Sequence, residues 1–155
     1  MSKNKYILLF LIILSTFLIT IPAGLITKTS VDTWYAALNK PALSPPNWIF
    51  GPVWSVLYVM MSIAAWDAFV KSNYKRKILA VYYFHIFVNA SWSYVFFYYK
   101  QIFAASLIIG LIIFFILYLM SMYSKYSKLA VLLMLPYFAW VIFAMYLNST
   151  IWIIN

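Results

Sequence analysis

The chain has 155 residues, 67% hydrophobic and 8% charged, with a mean hydropathy of +0.95 and a formal net charge of +9. A soluble domain carries about 25% charged residues, so this composition excludes a water-soluble globular protein and places the chain in a bilayer. The absence of cysteine excludes disulfides, iron–sulfur clusters and thiolate metal sites.

Five apolar runs are each near the ~20 residues that cross a membrane. They predict an all-α integral membrane protein, a five-transmembrane-helix bundle with spans at 6–26, 49–69, 78–97, 102–122 and 129–151. Residues 1–155 are expected to form a single domain. The first run follows Lys3 and Lys5. It is longer than the apolar core of a signal peptide, about 7–15 residues, and reads as a retained span.

The long connection, 27–47, comes next. Val31, Trp34, Tyr35 and Leu38 have the spacing of one helical face and predict a short helix. Ser44 followed by Pro45 and Pro46 reads as an N-cap and helix start. Pro52 is expected to remove a ladder hydrogen bond and kink the second span. From Trp34 to Tyr58, three tryptophans, two tyrosines and four prolines fall within 25 residues. A backbone defect at membrane depth survives only where protein buries it or a cavity lines it. The segment therefore predicts an ordered lid over a pocket.

The second span carries Trp54, Tyr58, Met61 and Ala65 on one face, then Asp67 four residues before Lys71, an i,i+4 ion pair. The third carries His85, Asn89, Trp92, Ser93 and Phe96 together. In the fourth, Ser106 and Gly110 form a small-xxx-small pair that hints at close helix contact. The fifth contains Pro136, expected to bend it, and a face of Tyr137, Trp140, Ala144 and Asn148. Three such faces predict one aromatic-walled cavity suited to a large, flat, apolar ligand with limited polar decoration. Asn89 and Asn148 stand open between ligand contact and helix bridging. His85, the one histidine, reads as an interhelical hydrogen-bond partner ahead of a haem-iron ligand.

Eight basic residues lie at the N-terminus and in the second and fourth connections: Lys3, Lys5, Lys71, Lys75, Arg76, Lys77, Lys125 and Lys128. Lys28, Lys40 and Lys100 lie on the other side. The positive-inside rule then places the N-terminus in the cytoplasm and the first loop and C-terminus outside. The same asymmetry accounts for the basic charge without nucleic acid as a partner. No carboxylate pair, Ser/His/Asp arrangement or metal-ligand cluster is present, which excludes conventional acid–base or metal hydrolysis. No span carries a central charge, which argues against an ion pump.

Three blocks resemble a known family. The first is Trp34-Tyr35, Lys40-Pro41, Pro45-Pro46, Trp48, Gly51-Pro52-Val53-Trp54 and Leu57-Tyr58. The second is Asn89 with Trp92, and the third is Pro136-Tyr137, Trp140, Phe143-Ala144 and Leu147-Asn148. In order and spacing they resemble the translocator protein family, also called tryptophan-rich sensory proteins or peripheral benzodiazepine receptors. The resemblance implies a five-helix bundle, commonly a homodimer, with a pocket beneath the first loop. It implies porphyrin ligands (protoporphyrin IX and haem-related tetrapyrroles) and benzodiazepine-site ligands, and no obligatory cofactor. The implied binding residues are Trp54, Tyr58, Asn89, Trp92, Trp140 and Ala144, with Tyr35 and Pro46 nearby. The leading expectation is a membrane receptor or scavenger for tetrapyrroles, in tetrapyrrole regulation or the response to photo-oxidative stress. The alternatives are a light-dependent porphyrin-degrading enzyme acting through Trp54, Trp92 and Trp140, or a transporter of tetrapyrroles or lipids. Leu43 stands where the family often has a tryptophan. The end Ile151–Asn155 lacks the basic residue of the animal members' cholesterol motif, so sterol binding is not implied. A bacterial plasma membrane is the expected location.

Overall fold

The computed structural model describes residues 2–155, with side chains from Asn4 onward; the Lys3 side chain, counted above among the basic residues, lies outside that set. All regular structure among the described residues is helical. The elements are α1 (Ser2–Val31), α2 (Trp34–Ala37), a 3-10 turn (Asn47–Ile49), α3 (Phe50–Lys71), α4 (Arg76–Ser93) running into a π-helical turn (Tyr94–Tyr98), α5 (Ile102–Ser124) and α6 (Lys128–Ile154). The five long helices close a ring in the order α1, α3, α6, α5, α4.

Helices α1, α3, α5 and α6 are long and apolar enough to cross a membrane. The third expected span is the exception. Helix α4 has 18 residues and includes Arg76, Lys77, His85 and Asn89, which lower its apolar content. Large apolar side chains such as Phe10, Leu14, Leu18, Phe103, Leu107, Phe114 and Leu132 stand exposed around the ring, as lipid requires.

The connection between the first two long helices differs from expectation. Helix α1 runs on to Val31, so the loop is shorter than 27–47. Helix α2 covers four residues, not Val31–Leu38. The expected face nonetheless packs as one cluster, with Val31 and Tyr35 buried and Trp34 and Leu38 against them. The Lys40 ammonium donates to the Tyr35 and Ala36 carbonyls at 3.1 and 3.0 Å. It thereby caps the end of the short helix, where the Tyr35 carbonyl also accepts the Leu38 N–H at 3.3 Å.

Ser44 caps no helix. Pro46 precedes the 3-10 turn with no side-chain cap, and α3 starts at Phe50. Pro52 thus falls in the first turn of α3, where a missing N–H leaves no intrahelical bond unmade. The kink expected there has no ladder bond to break.

The start of α1 and the α3–α4 and α5–α6 turns meet at one end. Trp66 Nε1 donates to the Lys5 carbonyl at 2.9 Å. Lys71 pairs with Asp67 at 2.9 Å, and Ser127 also donates to that carboxylate. Lys75 donates to the Tyr126 hydroxyl at 2.9 Å, which holds that phenol below its ordinary value. Helix α3 stops in a Schellman turn. Asn73 takes φ 57°, the Tyr74 N–H reaches the Phe69 carbonyl at 2.9 Å, and the two rings meet edge-on at 5.3 Å. Inside this end, Met61, Ala64, Ala65 and Ala68 of α3 are fully buried with Ala130 and Met134 of α6. Small side chains let the helix axes approach and pack closely.

Candidate functional site

At the other end the ring is hollow. A cavity of about 840 Å³ lies among α1, α3, α4, α6 and the first loop. Its floor is aromatic. Trp54 stacks on Tyr58 with centroids 5.4 Å apart, and Phe17 of α1 meets Tyr58 edge-on at 6.0 Å. Beneath them runs a polar chain. Tyr58 donates to Asn89 Oδ1 at 3.1 Å, Asn89 Nδ2 donates to the Tyr137 hydroxyl at 3.0 Å, and that hydroxyl pairs with His85 Nε2 at 2.8 Å. Hydroxyls and amides buried at this depth need such partners.

The rear wall is Trp92 stacked on Phe96 at 5.1 Å. Trp92 Nε1 donates to Asn148 Oδ1 at 3.3 Å. Asn148 Nδ2 in turn donates to Ser106 Oγ at 2.7 Å and to the Ile102 carbonyl at 2.9 Å. One asparagine therefore ties α4 and α5 to α6. The small pair in α5 faces this contact, with Gly110 approached by Met145. The π turn widens the end of α4, and Phe96 and Phe97 are both buried there. These rings meet Tyr35 edge-on at 6.1 and 5.9 Å and form the roof. Burial pushes the Tyr35 phenol above its ordinary value.

The front is a gap between α1 and α3. The two helices touch at Thr16–Ser62 and Phe17–Tyr58, then separate. They are rejoined at the top, where Asn47 Nδ2 donates to Asp32 Oδ1 at 2.9 Å and to the Val31 carbonyl at 3.3 Å. Between these ties Ile21, Gly24 and Leu25 face Trp48, Gly51 and Ser55 across the opening, all of them exposed cavity-lining residues.

The structure brings Tyr35, Trp54, Tyr58, Asn89, Trp92 and Ala144 to the cavity surface. Trp140 and Pro46 do not line it. On α6, Tyr137, Ala144 and Asn148 share a face at intervals of seven and four. Trp140 lies off that face and packs on Phe50 at 6.3 Å and Phe143 at 5.7 Å, one layer behind the wall. Pro46 positions the following Asn47, which does line the cavity. His85 is fully buried beneath the floor and bonded to Tyr137, away from the cavity surface. It joins α4 to α6 and is not placed to meet a haem iron. The whole α1 wall, with Phe17, Thr20, Gly24 and Thr27, escaped the sequence reading. Its signal was there: Thr16, Thr20, Gly24 and Thr27 recur at intervals of three and four along an otherwise aliphatic helix. Among the described residues no cluster of three or more metal-ligating side chains occurs.

Comparison with known proteins bears on this geometry. The TspO/MBR family profile matches residues 10–153. The chain is 37% identical over 145 residues to the tryptophan-rich protein TspO of Archaeoglobus fulgidus, covering 92% of this chain and 94% of that one. It is 33% identical over 131 residues to protein CrtK of Rhodobacter capsulatus, covering 81% of each. It is also 32% identical over 123 residues to the human translocator protein, covering 77% of this chain and 73% of that one.

Proposed function

The chain belongs to the TspO/MBR family, and from that premise we propose that it is a membrane receptor or scavenger for porphyrin-type tetrapyrroles. The observation that carries the reading is the cavity of about 840 Å³ with stacked aromatic walls. Its size falls within the range of small-molecule sites, about 300–1,000 Å³. A flat macrocycle entering between α1 and α3 would lie against Trp54 and Tyr58 on one side and Trp92 and Phe96 on the other. Benzodiazepine-site ligands, also flat and apolar, would occupy the same space. In this reading α4 crosses the bilayer as a fifth span, because His85 and Asn89 face the ring interior and not lipid. The N-terminus is cytoplasmic, the cavity opens toward the outer leaflet, and the protein acts as a homodimer.

The test is a titration of protoporphyrin IX into purified protein in lipid nanodiscs, followed by tryptophan quenching and the porphyrin absorbance band. Saturable one-to-one binding is expected. Uptake that only scales with lipid would defeat the reading.

Three tryptophans line the cavity, and the two in its stacked aromatic walls favour a second reading, light-dependent oxidation of bound porphyrin. Trp54 and Trp92 are then the candidate electron donors, with Trp140 behind them. Illumination of the complex would yield a new absorbing species, lost in Trp54→Phe or Trp92→Phe. Binding without any light-driven product leaves the receptor.

A further inference from the structure

We infer that Lys28 anchors a carboxylate at the cavity mouth, so that the site selects flat apolar ligands with an acidic edge over their neutral counterparts. The inference rests on the tetrapyrrole reading and names the ligand edge that the site recognises.

The cavity lining holds one cation, Lys28, and one carboxylate, Asp32, among mostly apolar and aromatic side chains. Both lie at the loop end of α1, Lys28 in its last turn. Four residues apart across the end of α1, these two are within the reach at which an i,i+4 pair would form. Here Asp32 accepts from Asn47 instead. Among the described residues the one ion pair is Lys71 with Asp67, at the far end. The Lys28 ammonium is left unpaired.

The other cations at this end are engaged. Lys40 donates to the carbonyls of Tyr35 and Ala36, and Lys100 sits 6.0 Å from the Trp34 ring centroid. Lys28 alone of the three faces the cavity. One turn earlier, Gly24 leaves open space: a Cβ there would meet nothing within 4 Å. A macrocycle edge fits beside that glycine and brings its acidic substituents up to the exposed ammonium. The apolar body stays between the aromatic walls at membrane depth. At the rim both charges keep much of their hydration, so pairing costs little desolvation. Its return is that of an exposed ion pair, about three- to fivefold in affinity. A lysine in the last turn also offsets the helix dipole, and its head group could meet lipid phosphate. Neither role discriminates an acid from its ester.

Protoporphyrin IX and its dimethyl ester are titrated into wild type and Lys28→Gln in phosphatidylcholine nanodiscs, with the melting temperature of each protein recorded. The expected result is an acid-over-ester preference about three- to fivefold larger in wild type than in the variant. Ester affinity should be unchanged. The wild-type preference should shrink in 1 M salt, where the Debye length is about 3 Å. An equal preference in both proteins overturns the inference while ester and acid binding uphold the site. A change confined to the melting temperature, or to binding of phosphatidylglycerol vesicles, overturns it in favour of the dipole or lipid role. Saturable binding of neither porphyrin removes the tetrapyrrole reading and this inference together.

Discussion

The two ends of the bundle are built from the same helices and packed by opposite rules. At the basic end, α3 presents Met61, Ala64, Ala65 and Ala68, and the ring closes around them so that all four are fully buried. Buried hydroxyls there bond to one another in the Thr16–Tyr82–Ser62 cluster at 2.8 and 3.1 Å, while the Tyr123 hydroxyl stays without a partner. Two turns toward the loop, α3 presents Trp54, Ser55 and Gly51, and α1 presents Gly24. There the rings stack against the walls, the glycines fill nothing, and α1 and α3 separate. The hollow end keeps its shape because the ends of the polar chain, Tyr58 and His85, are fixed to the packed core, and because α2 roofs it. A rigid half therefore supports an open one, the arrangement a pre-formed binding site needs.

The sharpest way to break this contrast is to open the packed half. Tyr82 is fully buried, and its hydroxyl bonds both Thr16 and Ser62. Tyr82→Ala should cost about 3–5 kcal/mol of stability in a detergent unfolding titration. A loss under about 1 kcal/mol would mean that the core relaxes around the gap.

The converse variant fills the hollow half. Gly24→Leu adds a side chain where nothing lies within 4 Å. Porphyrin affinity should fall roughly thirtyfold, about 2 kcal/mol, with the melting temperature unchanged or raised. Unaltered affinity would place the ligand elsewhere.

Asn89 sits on the boundary between the halves. Both of its polar ends are already used, toward Tyr58 and Tyr137. Asn89→Leu should therefore lower stability by about 1 kcal/mol and change porphyrin affinity less than threefold (about 0.6 kcal/mol). A weakened complex in a protein of unchanged stability would return Asn89 to direct ligand contact.

The smallest effect is expected at the mouth. Asp32→Ala removes the tie to Asn47 and should cost about 0.5 kcal/mol. Limited proteolysis between Leu38 and Pro46 should nonetheless become faster, because the loop loses one of its fastenings to α1. Equal cleavage rates would show that the aromatic roof alone holds the loop.

Much of this molecule was legible from its residues. Composition and apolar run length determined a helical membrane protein, because a bilayer demands internally bonded backbone over about twenty apolar residues. Helical periodicity placed Trp54 with Tyr58, and Asn89 with Trp92, on shared faces, since spacing alone decides which side chains line up. The Asp67–Lys71 pair and the close contact at Ser106 were legible for the same local reason. What periodicity does not carry is the neighbour that each face meets. That depends on the order of helices around the ring, a property of the whole packed assembly. Ring order decided that Trp140 turns toward Phe50 and that α1 supplies a wall. It also decided that both polar ends of Asn89 are spent on other helices. The loop follows the same principle: its prolines announced a break in the helix, but where α3 begins was settled by the fit of Asn47 against Asp32 and of Tyr35 beneath Phe96 and Phe97. Those contacts join residues far apart in the chain, and only the folded structure brings them within reach.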